Sequence, residues 1–126
     1  MKKGTAVIFI FILFSVTASK VFSQSAVYFC SETGAYGFAY GTAYNEALNK
    51  AYNNCLSYGG TKPVLVASTE KKGFGAVALG NDANGNRVIG VAVGFSGMDE
   101  AKNEAIKQCR ISGGSGIYVS DTWNDR

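Results

Sequence analysis

Three cysteines and no histidine bound the chemistry available to this chain of 126 residues. Without an imidazole there is no Ser-His-Asp or Cys-His relay and no histidine metal ligand. Cys30, Cys55 and Cys109 are spaced by 25 and 54 residues, which matches no zinc pattern. Three is an odd number, so at most one internal disulfide forms. Cys30 with Cys55 closes a loop within the first half and is the expected pair, with Cys109 left free or as the alternative partner. Cys55 and Cys109 are expected in the last turns of helices, where the dipole disfavours a thiolate. Cys30 falls at a strand end and is expected to be the most accessible of the three.

Other polar constellations have plainer readings. Glu46 and Glu100 occupy equivalent positions and could serve as an acid/base pair. Both also sit in a first helical turn, where the helix dipole favours a carboxylate. Asp82, Asn84 and Asn86 alternate as in a calcium loop, but Arg87 stands where that loop has Gly and Val93 where it has Glu. A polar hairpin loop is the expectation. Gly73-Phe-Gly75-Ala-Val-Ala78 fits a loose dinucleotide spacing, yet it opens a strand with no helix behind it. No cofactor or metal is expected. Six of the seven tyrosines lie in the first half, and Tyr36, Tyr40 and Tyr44 form the candidate recognition surface.

The elements that position these residues follow an address. Lys2 and Lys3 precede an uncharged stretch, Gly4 to Ser19, which Lys20 closes. Sixteen uncharged residues fall short of the ~20 that span a bilayer, so the segment reads as a secretory signal peptide, residues 1–23, cut before Gln24. The expected product, residues 24–126, is exported to the periplasm or beyond the cell and is not held at a membrane. The formal charge of +3 belongs to that leader. Removing its three lysines leaves nine bases against nine acids, so a nucleic-acid partner loses its electrostatic support.

The remaining chain repeats. Gly37-Phe-Ala39-Tyr-Gly41 is echoed by Gly90-Val-Ala92-Val-Gly94, and Thr42–Gly60 matches Ser96–Gly114. Ten of the 24 positions from Gly37 to Gly60 are identical, among them Ala47/Ala101, Ala51/Ala105, Cys55/Cys109 and the closing Gly-Gly pairs. Each unit, about 26–69 and 73–121, reads as strand, strand, helix, strand. The expected fold is α+β, two ββαβ units in one compact domain. Thr42 and Ser96 are the expected N-caps, with Ser96 and Asp99 resembling a capping box. Gly-Gly ends both helices, and Val64–Val66 and Ile117–Val119 are the expected closing strands. Ala47, Ala51 and Cys55, like Ala101, Ala105 and Cys109, form one small-residue stripe per helix. Gly37, Ala39 and Gly41, with Gly90, Ala92 and Gly94, give each second strand a smooth face. Close helix-to-sheet contact is therefore expected. The opposite face carries Tyr36, Phe38 and Tyr40, or Ile89, Val91, Val93 and Phe95, and is expected to be covered by the other unit or by a partner.

Gly75-Ala-Val-Ala-Leu79, Ile89-Gly-Val-Ala92 and Glu100–Cys109 leading to Gly113-Gly114 together resemble a bacterial secreted family, the domain of unknown function numbered 4189. The resemblance covers the second unit well and the first as a more diverged copy, so it implies two tandem copies. It also implies a second cysteine opening each closing strand, where this chain has Lys62-Pro63 and Gly116-Ile117. It implies no activity. The expected function is a non-catalytic secreted binding module for another protein, of the inhibitor or immunity kind. The rival expectations are a small envelope enzyme using Glu46, Glu100 or Cys30, and a self-assembling envelope component.

Overall fold

The computed structural model describes residues 24–125. The leader expected over residues 1–23 lies outside them. The first unit runs β1 (Gln24–Phe29), β2 (Tyr36–Thr42), α1 (Tyr44–Ser57) and β3 (Val64–Thr69). The second runs β4 (Gly73–Asn81), β5 (Arg87–Phe95), α2 (Met98–Ile111) and β6 (Ser115–Asp125). Each unit makes one antiparallel three-stranded sheet with its first strand in the middle, ordered β2-β1-β3 and β5-β4-β6. The helix in each carries the chain from one edge strand to the other. The fold is α+β, two ββαβ units in one compact domain.

Close packing of helix on sheet comes from missing atoms. The stripes Ala47, Ala51, Cys55 and Ala101, Ala105, Cys109 are completely buried. In the first unit Ala47 and Ala51 pack on Ala26 and Ala39 while Cys55 packs with Cys30 and Ala35, and in the second unit the stripe packs on Ala76, Ala78 and Ala92. At Gly37 an added Cβ would stand 2.2 Å from the Cys55 backbone nitrogen, and at Gly90 it would stand 2.0 Å from the Ala105 carbonyl oxygen. Gly41 and Gly94 do something else. Their φ angles of 76° and 73° put them in the left-handed region. The turn at Gly94 comes where the β4–β5 register shifts, and it sends Phe95 to the α2 side of its sheet. Phe95 therefore does not share a face with Ile89, Val91 and Val93 as alternation alone predicts.

The other faces of the two sheets meet each other. Val27, Val77, Leu79 and Trp123 form a buried cluster against which Tyr36, Phe38, Ile89, Val91 and Val93 pack. The order of layers is thus helix, sheet, sheet, helix, and each unit covers the apolar face of the other. The units correspond closely in register. Val27 faces Phe38 as Val77 faces Val91, and the irregularity against the closing strand falls at Val27/Tyr28 and at Val77/Ala78.

Helix ends agree with the sequence pattern better than helix starts. Gly60 N–H donates to the Cys55 carbonyl at 2.8 Å and Gly59 N–H to the Leu56 carbonyl at 3.0 Å, with Gly59 at φ 101°. The same pair of bonds recurs at Gly113 and Gly114, a Schellman closure in both units. The second glycine has a further role, since its Cβ would lie 2.7 Å from Cys55 Sγ or 2.9 Å from Cys109 Sγ. The N-caps are Ala43 and Gly97, not Thr42 and Ser96, and neither uses a side chain. Thr42 stays paired with Gln24 in β2, and the Ser96 hydroxyl donates to Glu100 Oε1 at 2.9 Å. Acids in the first turns, Glu46 in α1 and Asp99 and Glu100 in α2, meet the positive helix ends instead. No helix among the described residues is long and apolar enough to cross a membrane.

The two kinds of glycine differ in cost. Gly90→Ala forces backbone apart and is expected to destabilise by about 3 kcal/mol or more. Gly113→Ala meets open space and carries only the left-handed penalty, about 1 kcal/mol. Urea unfolding of both variants checks this, and an inverted order would show that the helix does not rest on the glycine.

Candidate functional site

The sheet-to-sheet packing leaves two related clefts. β3 lies against β5, and β2 lies against β6, with no backbone ladder joining the two sheets. On the β3/β5 side a groove of about 770 Å³ opens. Its floor is five consecutive residues of β5, Arg87 to Val91. Both faces of a strand are lined only where its backbone edge is open, and β5 is indeed an edge strand. Phe29 and Val66 of the other sheet form one wall, and Gln108 and Ser112 at the end of α2 form the other. Glu32 and Asp82 stand at the rim.

The opposite cleft holds about 380 Å³ and is lined by Ala35, Tyr36, Phe38, Tyr58, Arg87 and Asp121. The register shared by the units makes the first four the counterparts of Val88, Ile89, Val91 and Ser112, which line the larger groove. The two clefts are the same feature with different side chains. Aromatic rings occupy one, and aliphatic side chains leave the other open. Phe38 stacks on Trp123 at 4.7 Å between ring centroids, Tyr40 stacks on the same indole at 5.9 Å, and Tyr36 stacks on Phe38 at 6.5 Å. The Tyr36 hydroxyl donates to Asp121 Oδ2 and is bonded to Ser120 Oγ. Burial, with Asp121 beside it, pushes the Tyr36 phenol up to about 12.

This arrangement separates the expected tyrosine surface. Tyr36 is tied down inside the filled cleft, and Tyr40, 44% exposed, is the outer end of the ring stack. Tyr44 lies on the helix layer, its hydroxyl 3.5 Å from Ser68 Oγ. Trp123 carries the stack and comes from a stretch of β6 that extends past the expected closing strand. Gly75 makes room for it, because a Cβ there would meet the indole at 2.1 Å. Trp123 Nε1–H donates to Ser25 Oγ at 3.2 Å, and the Ser25 hydroxyl donates to Asp125 Oδ2 at 3.3 Å. That buried relay ties the two sheets. Burial pushes the Asp125 carboxyl up, against the Ser25 hydroxyl and the Gly41 N–H.

The thiols behave in two ways. All three are free and buried in this structure, so the expected Cys30–Cys55 bridge is not formed. The two residues do share one cluster with Ala35, but each sulfur has its own partner. Cys55 Sγ–H donates to the Ala35 carbonyl at 3.5 Å, while Thr61 N–H donates to Cys30 Sγ at 3.4 Å. Cys30 is wholly buried, contrary to the accessibility expected of a strand end. The Thr33 hydroxyl, then the Lys62 N–H and Thr61, draw its thiol from 9.0 down to about 5. Burial pushes Cys55 and Cys109 up. The direction is the one the helix-end argument expects, but the cause is desolvation.

The remaining sequence candidates stay apart. Glu46 and Glu100 are exposed on helices separated by both sheets, so no carboxylate pair is made. Asp82 Oδ1 accepts the N–H groups of Asn84 and Asn86 at 2.9 Å each, closing the hairpin loop.

A family model, Domain of unknown function (DUF4189), matches residues 23–124. The chain belongs to this family. The match takes in both ββαβ units, groove and filled cleft alike. No curated protein and no solved structure matches the chain.

Cys30 gives a testable pH dependence. Its thiol loses the proton near pH 5 when folded and near 9 when unfolded, so between these values the unfolded chain binds more protons. Stability from this group is present above about pH 9 and is lost as pH falls through about 5. Urea unfolding across that window is expected to show the advantage of the native protein over Cys30→Ser growing with pH. A constant difference would mean that the sulfur stays a neutral thiol.

Proposed function

We propose that this protein is an exported, non-catalytic binding module that recognises another protein along the β5 groove, acting as an inhibitor or immunity-like partner. The observation that carries the reading is the groove itself, an unpaired strand edge sunk between an apolar wall and a polar one. Protein partners commonly use such edges, since main-chain hydrogen bonds supply affinity and flanking side chains supply selection. Val64, Leu65 and Val66 of β3 are also exposed beside it, at 61%, 40% and 42%. Consecutive exposed apolar residues on an edge strand suit a surface that a partner covers. Export is supported by the basic start and short apolar run of residues 1–23. The non-catalytic reading is supported by the separation of Glu46 from Glu100 and by the burial of Cys30.

A photo-reactive residue placed at Val66 or Asn86, in the groove, is expected to give a discrete adduct with an envelope protein in the living cell. The same residue at Lys50, on the outer face of α1, is expected to give none. Equal labelling from both places would remove the groove from the proposal. An adduct of twice the chain mass would favour self-assembly instead.

A further inference from the structure

The filled cleft indicates what the open groove accepts. Both are bounded by an edge strand, the opposite sheet and a helix end at corresponding positions. The first unit places Tyr36, Phe38 and Tyr58 where the second has Ile89, Val91 and Ser112. Across the cleft, Ser120 and Asp121 stand where the register puts Val66 and Ala67 beside the open groove. The volume falls from about 770 to about 380 Å³ where the rings are present. The backbone frame is thus one that stacked rings fill, and in the second unit the chain supplies none.

We infer that the β5 groove takes an extended segment of a partner protein, laid as an added strand on Arg87–Val91, with aromatic side chains directed into the space between the sheets. The inference rests on the groove reading proposed above and names the chemistry of the partner. β5 is hydrogen-bonded to β4 along Arg87–Val91, from Asn81↔Arg87 to Val77↔Val91, and no strand among the described residues pairs with its other edge. An added strand alternates its side chains. One set meets Phe29, Val66, Ile89 and Val91, and the other meets Val88, Gln108 and Ser112 beside the end of α2. Aromatic residues suit the first set and small polar residues the second. Glu32 and Asp82 at the rim favour a segment flanked by basic residues. Arg87, the one cation in the lining, offsets only one of these two carboxylates.

Two synthetic peptides test this, each long enough to run along Arg87–Val91 and ended by lysines. One alternates threonine with phenylalanine and tyrosine, and the other alternates threonine with alanine. Calorimetric titration of the purified protein is expected to show the aromatic peptide binding at least about tenfold more tightly. Amide hydrogen exchange is expected to slow at β5 and not at Tyr40 or α1. The double variant Ile89→Tyr with Val91→Phe copies the filled cleft and is expected to lose the aromatic peptide while keeping the native circular dichroism. Should that variant unfold, the exchange pattern on the native protein decides alone. Equal affinity for the two peptides would overturn the aromatic chemistry, while the cross-linking at Val66 judges the groove independently. Protection elsewhere than β5 would overturn the added strand.

Discussion

At Gly37 and Gly90 a helix and a sheet touch through backbone, with no side chain between them. The remaining structure depends on that contact. A helix seated so deeply can carry only alanine and cysteine on its inner stripe, which is why Ala47, Ala51 and Cys55 recur as Ala101, Ala105 and Cys109. Such small side chains bury little apolar area each. The larger apolar side chains are therefore placed on the other face of each sheet, and that face must be covered. The two sheets cover one another, and neither unit has a complete core without its counterpart.

Near-equivalent units joined this way create two clefts, and side-chain volume decides their fates. Stacked rings from β2 and the indole of Trp123 narrow one to about 380 Å³, against about 770 Å³ in the other. Valine and isoleucine on β5 cannot reach across the other. The half rich in tyrosine is consequently the half whose cleft is spent on internal stability. The aliphatic half keeps the open groove, next to an edge strand whose outer side pairs with no strand among the described residues.

The same interior sets the polar chemistry. Trp123, Ser25 and Asp125 form a relay that spans both sheets, and the carboxyl at its end is pushed toward its neutral form by burial. Cys30 lies in the loop region where Thr33, Thr61 and Lys62 converge, and the donors it gains outweigh its loss of solvation. Cys55 and Cys109 meet helix ends and glycine backbones, and they lose solvation. Three residues of one type thus hold two protonation tendencies.

Most of the fold was legible in the sequence, because its signals are local. Apolar period, Asn-Gly turns and Gly-Gly stops place the strands and helices. Residues repeating every fourth position on the helices, and alternating on the strands, identify the faces that touch. Failures came where a particular partner or turn, near or distant, overrides the general preference of a residue type. Thr42 and Ser96 are good caps by type, yet Thr42 is held by pairing with Gln24 and Ser96 by Glu100. Phe95 leaves its expected face because Gly94 turns the strand. Trp123 and Asp121 gave no motif, since their importance lies in facing β2 across the sheets. The aromatic imbalance between halves was visible in the sequence, but which cleft it closed was not. Local periodicity is written in neighbouring residues, whereas the match of volumes between two sheets exists only after both are folded. The sequence alone therefore determined the elements and their inner faces, and tertiary packing decided which groove stays open and which thiol is drawn toward its thiolate.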